Sequence, residues 1–181
     1  LLYSSFVLVA WRYAASPEFL LRSFDASGVL GADPQAAAAM LSFVACFLLL
    51  GVIPCLMAVL LFGQSAADYG ITWGDRGRTL RSALALGPLF VLGGYLASRD
   101  PTVAAVYPIN PSACHMFGLH ACTYVLFYLG WEFFFRGFMQ LGLRESLGDA
   151  NALLVQVLAS TLLHIGKPGT EAFGAIFGGL L

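Results

Sequence analysis

The sequence predicts an all-α protein, a polytopic transmembrane helical bundle with about six spanning segments. Hydrophobic residues make up 59% of the 181 and charged residues 10%, with a mean hydropathy of +0.81. Soluble domains carry about 25% charged residues. Apolar runs recur at roughly the 20 residues that a helix needs to cross a bilayer. Between the runs stand helix-start signals, Asp or Asn before Pro and acidic first turns.

The first segment runs from Leu1 to Ala15. Its first residue is Leu, Arg12 interrupts the run, and no small-residue cleavage pattern follows. It therefore reads as the remnant of a first spanning helix rather than a signal sequence. Ser16-Pro17-Glu18 supplies an N-cap, a proline at the first helical position and an acidic first turn. A short interfacial helix carrying Phe19, Leu20, Leu21 and Phe24 starts there. Asp33-Pro34 repeats the signal and opens the second span, Ala36 to Phe62. Gly63 to Arg81 is polar and holds Arg76, Arg78 and Arg81, and a third span, Ser82 to Ser98, follows. Asn110-Pro111 begins a long fourth helix that reaches Leu143. Asp149 caps a fifth, Ala150 to His164. Gly166-Lys167-Pro168-Gly169 breaks the chain, and a sixth helix starts near Thr170 and is still apolar at Leu181. Residues 1–110 thus form N-terminal helices and loops, and 111–181 form the core that bears the motifs. Gly174 and Gly178 make a small-xxx-small pair that favours close helix packing.

The basic loop between spans two and three lies in the cytoplasm by the positive-inside rule, with the Arg144 turn on the same side and Arg99 outside. Arg76, Arg78 and Arg81 read as topology determinants near lipid headgroups. A net charge of -1 provides no basic field, which excludes nucleic acid as a partner. Cys46, Cys55, Cys114 and Cys122 form no CxxC pair and read as small buried hydrophobes. His115 and His120, five residues apart, are poorly spaced for a shared metal, so neither a metal nor another cofactor is expected.

Chemistry concentrates in Trp131-Glu132-Phe133-Phe134-Phe135-Arg136-Gly137. A carboxylate and a guanidinium four residues apart share one helix face, in the favourable order. Ionisable groups at membrane depth mark functional sites by default, and a self-satisfied ion pair that fixes helix packing is the plainer explanation. Glu132 lies about 18 Å above the Arg144 turn at helical rise, and His164 lies about 22 Å up the returning helix. Two helices joined by a short turn are antiparallel neighbours. Glu132 and His164 therefore fall at one depth, with Arg136 about one turn closer to the cytoplasm. A carboxylate and an imidazole placed in this way suit acid–base activation of water.

The stretch Gly130 to Leu181 resembles the CAAX-processing and bacteriocin-processing (CPBP, or Abi) intramembrane proteases. That family carries a Glu-Glu-x-x-x-Arg motif on one helix, Phe-x-x-x-His on the next, and His-x-x-x-Asn or Asp on a later one. Trp131 to Arg136 aligns with the first motif and Ser160-Thr161-Leu162-Leu163-His164 with the second. The Gly-rich stretch Gly174 to Leu181 and the loop Tyr69-Gly70-Ile71-Thr72-Trp73-Gly74-Asp75 are also similar to the family. Trp131 stands where the first Glu, the family's water-activating base, is expected. Glu132 occupies the second position, which supports the arginine. The third motif has no counterpart up to Leu181, and the resemblance implies that the core continues beyond it. Some relatives pair Trp-Glu-Phe-Phe-Phe-Arg with a His-x-Gly-Lys-Pro-x-x-Glu string. His164 to Glu171 is similar to that string, which offers Glu171 as a substitute carboxylate and Lys167 as a group that tunes it or binds a substrate carbonyl.

The resemblance implies an endopeptidase of a bacterial plasma membrane that hydrolyses membrane-associated or prenylated peptides without a covalent intermediate. Glu132 or Glu171 would activate water, His164 would assist, and Arg136 would hold Glu132. The partners are then the lipid bilayer and a membrane peptide or protein substrate. Trp131 and the missing third motif also fit an inactive accessory or scaffold subunit of a larger membrane complex. A transporter or channel whose ion pair lines the pathway is a third reading.

Overall fold

The computed structural model describes residues 1–23, 33–110 and 112–180; every regular element among them is helical. In chain order these are α1 (Leu2–Ala14), α2 (Pro17–Ser23), α3 (Pro34–Cys46), a π-helical stretch (Phe47–Val52), α4 (Ile53–Leu60) and a 3-10 turn (Ala66–Tyr69). Then come α5 (Arg76–Ala97), α6 (Pro101–Ala104), α7 (Phe117–Glu132), a second π-helical stretch (Phe133–Leu141), α8 (Gly142–Leu147), α9 (Asp149–Leu162) and α10 (Gly169–Leu180). Phe24 and Pro111 lie outside the described residues.

Among the described residues, two helices are long and apolar enough to cross a membrane. Pro34–Leu60 has 27 residues, with a mean hydropathy of 2.8 over 18 of them, and Arg76–Ala97 has 22 residues, with 1.4 over 18 of them. Asp149–Leu162 is a shorter apolar helix.

Two of the four start signals act as read. The Ser16 hydroxyl accepts from the Phe19 N–H at 3.2 Å. Asp33 accepts from the Ala36 N–H at 2.9 Å, satisfying one of the donors that a helix start leaves free. Three boundaries differ from expectation. Asp75 accepts from the Arg78 N–H at 3.0 Å, so α5 begins at Arg76 and takes the arginines into its first turns. Asn110 spends its carboxamide oxygen on the Ser112 N–H at 2.9 Å. This local turn competes with a helix start, and α7 begins only at Phe117. At α9 the turn is made by Gly148, φ 75°, and the Asp149 carboxylate pairs with Arg144 instead of capping.

Pro54 lacks the N–H that would bond back to the Leu50 carbonyl, and the helix widens into π turns just before it. The core forms where this widened segment meets the second π stretch. Cys46, Leu50, Phe134, Phe135 and Met139 pack there against Val7 and Leu8 of α1. The core therefore draws on both the N-terminal helices and the stretch that bears the motifs. Phe134 and Phe135 are fully buried, so this aromatic run faces the bundle. Cys46 is buried too, whereas Cys55 is half-buried and Cys114 and Cys122 are exposed; all four are free thiols. No residue of α5 is buried.

Glycine sets the closest crossings. A Cβ at Gly130 would lie 2.7 Å from the Phe47 Cα and 2.9 Å from the Cys46 carbonyl oxygen. Both are backbone atoms, so α7 touches the end of α3 with no side chain between. Gly137 is seated in the same way, where a Cβ would lie 2.6 Å from the Tyr69 carbonyl oxygen. That contact docks the loop after α4 on the second π stretch. By contrast, Gly174 and Gly178 face open space, and the glycine in contact is Gly179, where a Cβ would meet Val157 Cγ2 at 3.2 Å. The small-xxx-small pair read from the sequence is thus not the packing surface of α10 against α9.

Gly130→Ala is expected to lower the thermal unfolding midpoint in detergent by the equivalent of about 1–3 kcal/mol, the usual cost of overpacking. Gly174→Ala is the matched control. It meets nothing and should hold or slightly raise the midpoint through helix propensity. Equal midpoints for the two variants would contradict the crossing.

Candidate functional site

The four candidate residues fall into two groups. Glu132 ends α7 and Arg136 lies one turn on, in the second π stretch. Glu132 Oε2 and Arg136 Nη1 are 2.7 Å apart, and the side chains are 47% and 34% exposed. The other guanidinium nitrogen, Nη2, donates to the Gly178 carbonyl of α10. Next to it, Gln156 of α9 donates from Nε2 to the Gly179 carbonyl at 2.5 Å. Two side chains from different elements thus grip adjacent carbonyls of α10. Arg136 is suited to this because its planar fork can serve a carboxylate and a carbonyl together.

The second group forms around Glu171. This residue lies in the first turn of α10, and the loop from His164 to Gly169 turns through Gly166 at φ 88°. Lys167 donates from Nζ to Glu171 Oε1 at 2.7 Å. Tyr107, from the loop after α6, offers its hydroxyl to both carboxylate oxygens at 2.8 and 2.9 Å. Lys167 Nζ also donates to that hydroxyl at 3.2 Å. His164 Nε2 lies 3.8 Å from Glu171 Oε1, and the two side chains are only 16% and 24% exposed. His164 Nδ1 is 2.8 Å from the Ser160 carbonyl. A carbonyl can only accept, so Nδ1 carries the proton of this bond, and when the ring is neutral Nε2 presents a lone pair toward Glu171. Burial first, and then the bond to Glu171, push the Tyr107 hydroxyl above the ordinary phenol range. It therefore stays a donor across physiological pH.

Tyr107 was not singled out from the sequence. It sits 64 positions from Glu171, in a loop with no charge or motif to mark it. The Trp131 ring stands edge-on to the His164 ring, with centroids 5.8 Å apart. A file of rings on α7 leads up to it: His120 stacks on Tyr124, Tyr124 on Phe127, and Phe127 on Trp131. The helix of Glu132 does lie against His164, yet the residue that touches the imidazole is Trp131. The structure brings Glu132 together with Arg136, and His164 together with Glu171.

Glu171 and Tyr107 border a cavity of about 760 Å³, walled also by Phe43, His120, Tyr124 and Tyr128. This is within the size range of small-ligand sites. Its lining is mostly apolar and aromatic, with Ser98, Thr170, His120, the tyrosine hydroxyls and the Glu171 carboxylate as polar groups. His120 takes part in this wall, stacked on Tyr124 and near Asn110 Nδ2 at 3.4 Å from Nδ1.

No family model, curated protein or solved structure matches the chain.

Removing the guanidinium by Arg136→Met should destabilise the protein by about 1.5–3 kcal/mol, as for hydrogen bonds to charged groups. Glu132→Gln keeps an acceptor for Arg136 and should cost no more than about 1 kcal/mol at this half-exposed position. Thermal unfolding of both variants in the same detergent measures the difference.

Proposed function

We propose that this chain is a polytopic membrane endopeptidase of the CPBP type, with Glu171 and His164 as its water-activating pair. The facing of these two groups, with Glu171 at the wall of a mostly apolar cavity, carries the reading. In this reading the other apolar segments join the two long helices in crossing a bacterial plasma membrane, about six spans in all. Glu132 and Arg136 serve the architecture, since their bonds go to each other and to α10.

Glu171 Oε1 and the lone pair of His164 Nε2 are two acceptors facing each other across 3.8 Å. A single water satisfies both by donating one proton to each, which directs its oxygen toward the cavity. Glu171 takes one proton as that oxygen bonds to the peptide carbonyl carbon. The negative charge moves to the carbonyl oxygen, where Lys167 Nζ is the nearby donor. The C–N bond then breaks, and the proton held by Glu171 passes to the leaving amine. The apolar walls fit a segment of a membrane protein or a prenylated peptide.

One observation favours a second reading, an inactive accessory subunit. The indole of Trp131 occupies the flank of His164, where the resemblance expects a carboxylate.

Cleavage by purified protein in liposomes, against a panel of membrane peptides, separates the two. Glu171→Gln and His164→Ala should each lower the rate by about 10²-fold or more, as for loss of a general base. Glu132→Gln should retain most activity in the folded fraction. Undiminished cleavage by Glu171→Gln would sink the assignment. A native protein that cleaves no substrate and co-purifies with a membrane complex would favour the accessory role.

A further inference from the structure

We propose that Tyr107 is the positioning residue of the Glu171–His164 pair, holding the Glu171 carboxylate where both residues border the cavity. This rests on the peptidase reading above. A carboxylate acting as a base needs a fixed direction as well as a place, because a misplacement of about 1 Å costs on the order of 10²-fold in rate. Lys167 cannot fix that direction alone. It sits four residues from Glu171 on a long, flexible stem and is 37% exposed. Tyr107 has a rigid ring, and its hydroxyl straddles both oxygens at nearly equal distances, 2.8 and 2.9 Å. With the phenol on one side, the edge of Glu171 Oε1 looks toward His164.

The loop that delivers Tyr107 is itself tied down. Asn110 is wholly buried, its oxygen held by the Ser112 N–H and its nitrogen beside the His120 ring. Ser112 donates to the Asp33 carboxylate, the N-cap of α3. The phenol is thus referenced to α3 and α7, while the carboxylate it holds belongs to α10. Pro108 and Ile109 continue the cavity wall from Tyr107, so the residue that orients Glu171 also borders the space that a substrate segment would fill.

The test uses the whole protein in liposomes and combines two readouts. In steady-state cleavage, Tyr107→Phe should lower kcat about tenfold to a hundredfold and leave KM within about twofold, the pattern of an interaction needed in the transition state. Thermal unfolding of Tyr107→Phe, Glu171→Ala and the double variant should show losses that do not add, because each single change already breaks the shared bond. A native kcat in Tyr107→Phe overturns the role while leaving the peptidase reading intact. Additive losses also overturn it, because Tyr107 would then act other than through Glu171. If the native protein cleaves nothing while the losses remain non-additive, the peptidase reading fails and the contact is purely structural.

Discussion

The contact of backbone on backbone at Gly130 governs the rest of the arrangement. Helices in lipid gain little from burying apolar surface against one another, so close approach and interhelical hydrogen bonds carry their association. With no side chain at 130, α7 seats directly on the main chain at Cys46 and Phe47. That seat fixes where the next residues fall. Trp131 meets His164, Phe134 and Phe135 enter the core, and Arg136 arrives beside α10. Because the approach involves backbone atoms, it has little slack, and the positions that follow inherit its precision.

The two charged groups divide the work. Arg136 is committed to Glu132 and to a carbonyl of α10, which fastens the end of that helix. The start of the same helix carries Glu171. Fastening one end while Lys167 and Tyr107 hold the other keeps the carboxylate in register with His164. The cluster also balances itself, since the Lys167 cation offsets the Glu171 anion and Tyr107 adds a neutral donor. The cavity wall therefore stays compatible with an apolar occupant even though it holds an ionised carboxylate.

Much of this was legible in the sequence, and the residues show where legibility ends. The caps at Ser16 and Asp33 follow from local chemistry, as does the Glu132–Arg136 pair, because each involves groups within one turn. Helical rise located Glu132 level with His164 but carried no information about rotation. Each residue turns the chain by about 100°, and it was the neighbour, Trp131, that faced the imidazole. The late start of α7 was hidden because Asn110-Pro111 also suits a turn closed by the asparagine side chain. The packing role of Gly179, rather than Gly174 and Gly178, depended on which side of α10 meets α9. Tyr107 was beyond reach altogether, since nothing local distinguishes a phenol that will be used from one that will not.

The bond between Tyr107 and Glu171 also has a meaning for assembly. It joins residues 64 positions apart, and α7, the second π stretch, α8 and α9 all lie between them. Closing so long a loop gives no return in entropy until those helices are in place. Local turns and the α8–α9 hairpin can form early, but the carboxylate meets its phenol only when the chain in between is already folded. The Tyr107–Glu171 cluster is therefore built last, and a molecule with an assembled cluster is one whose intervening helices have finished packing.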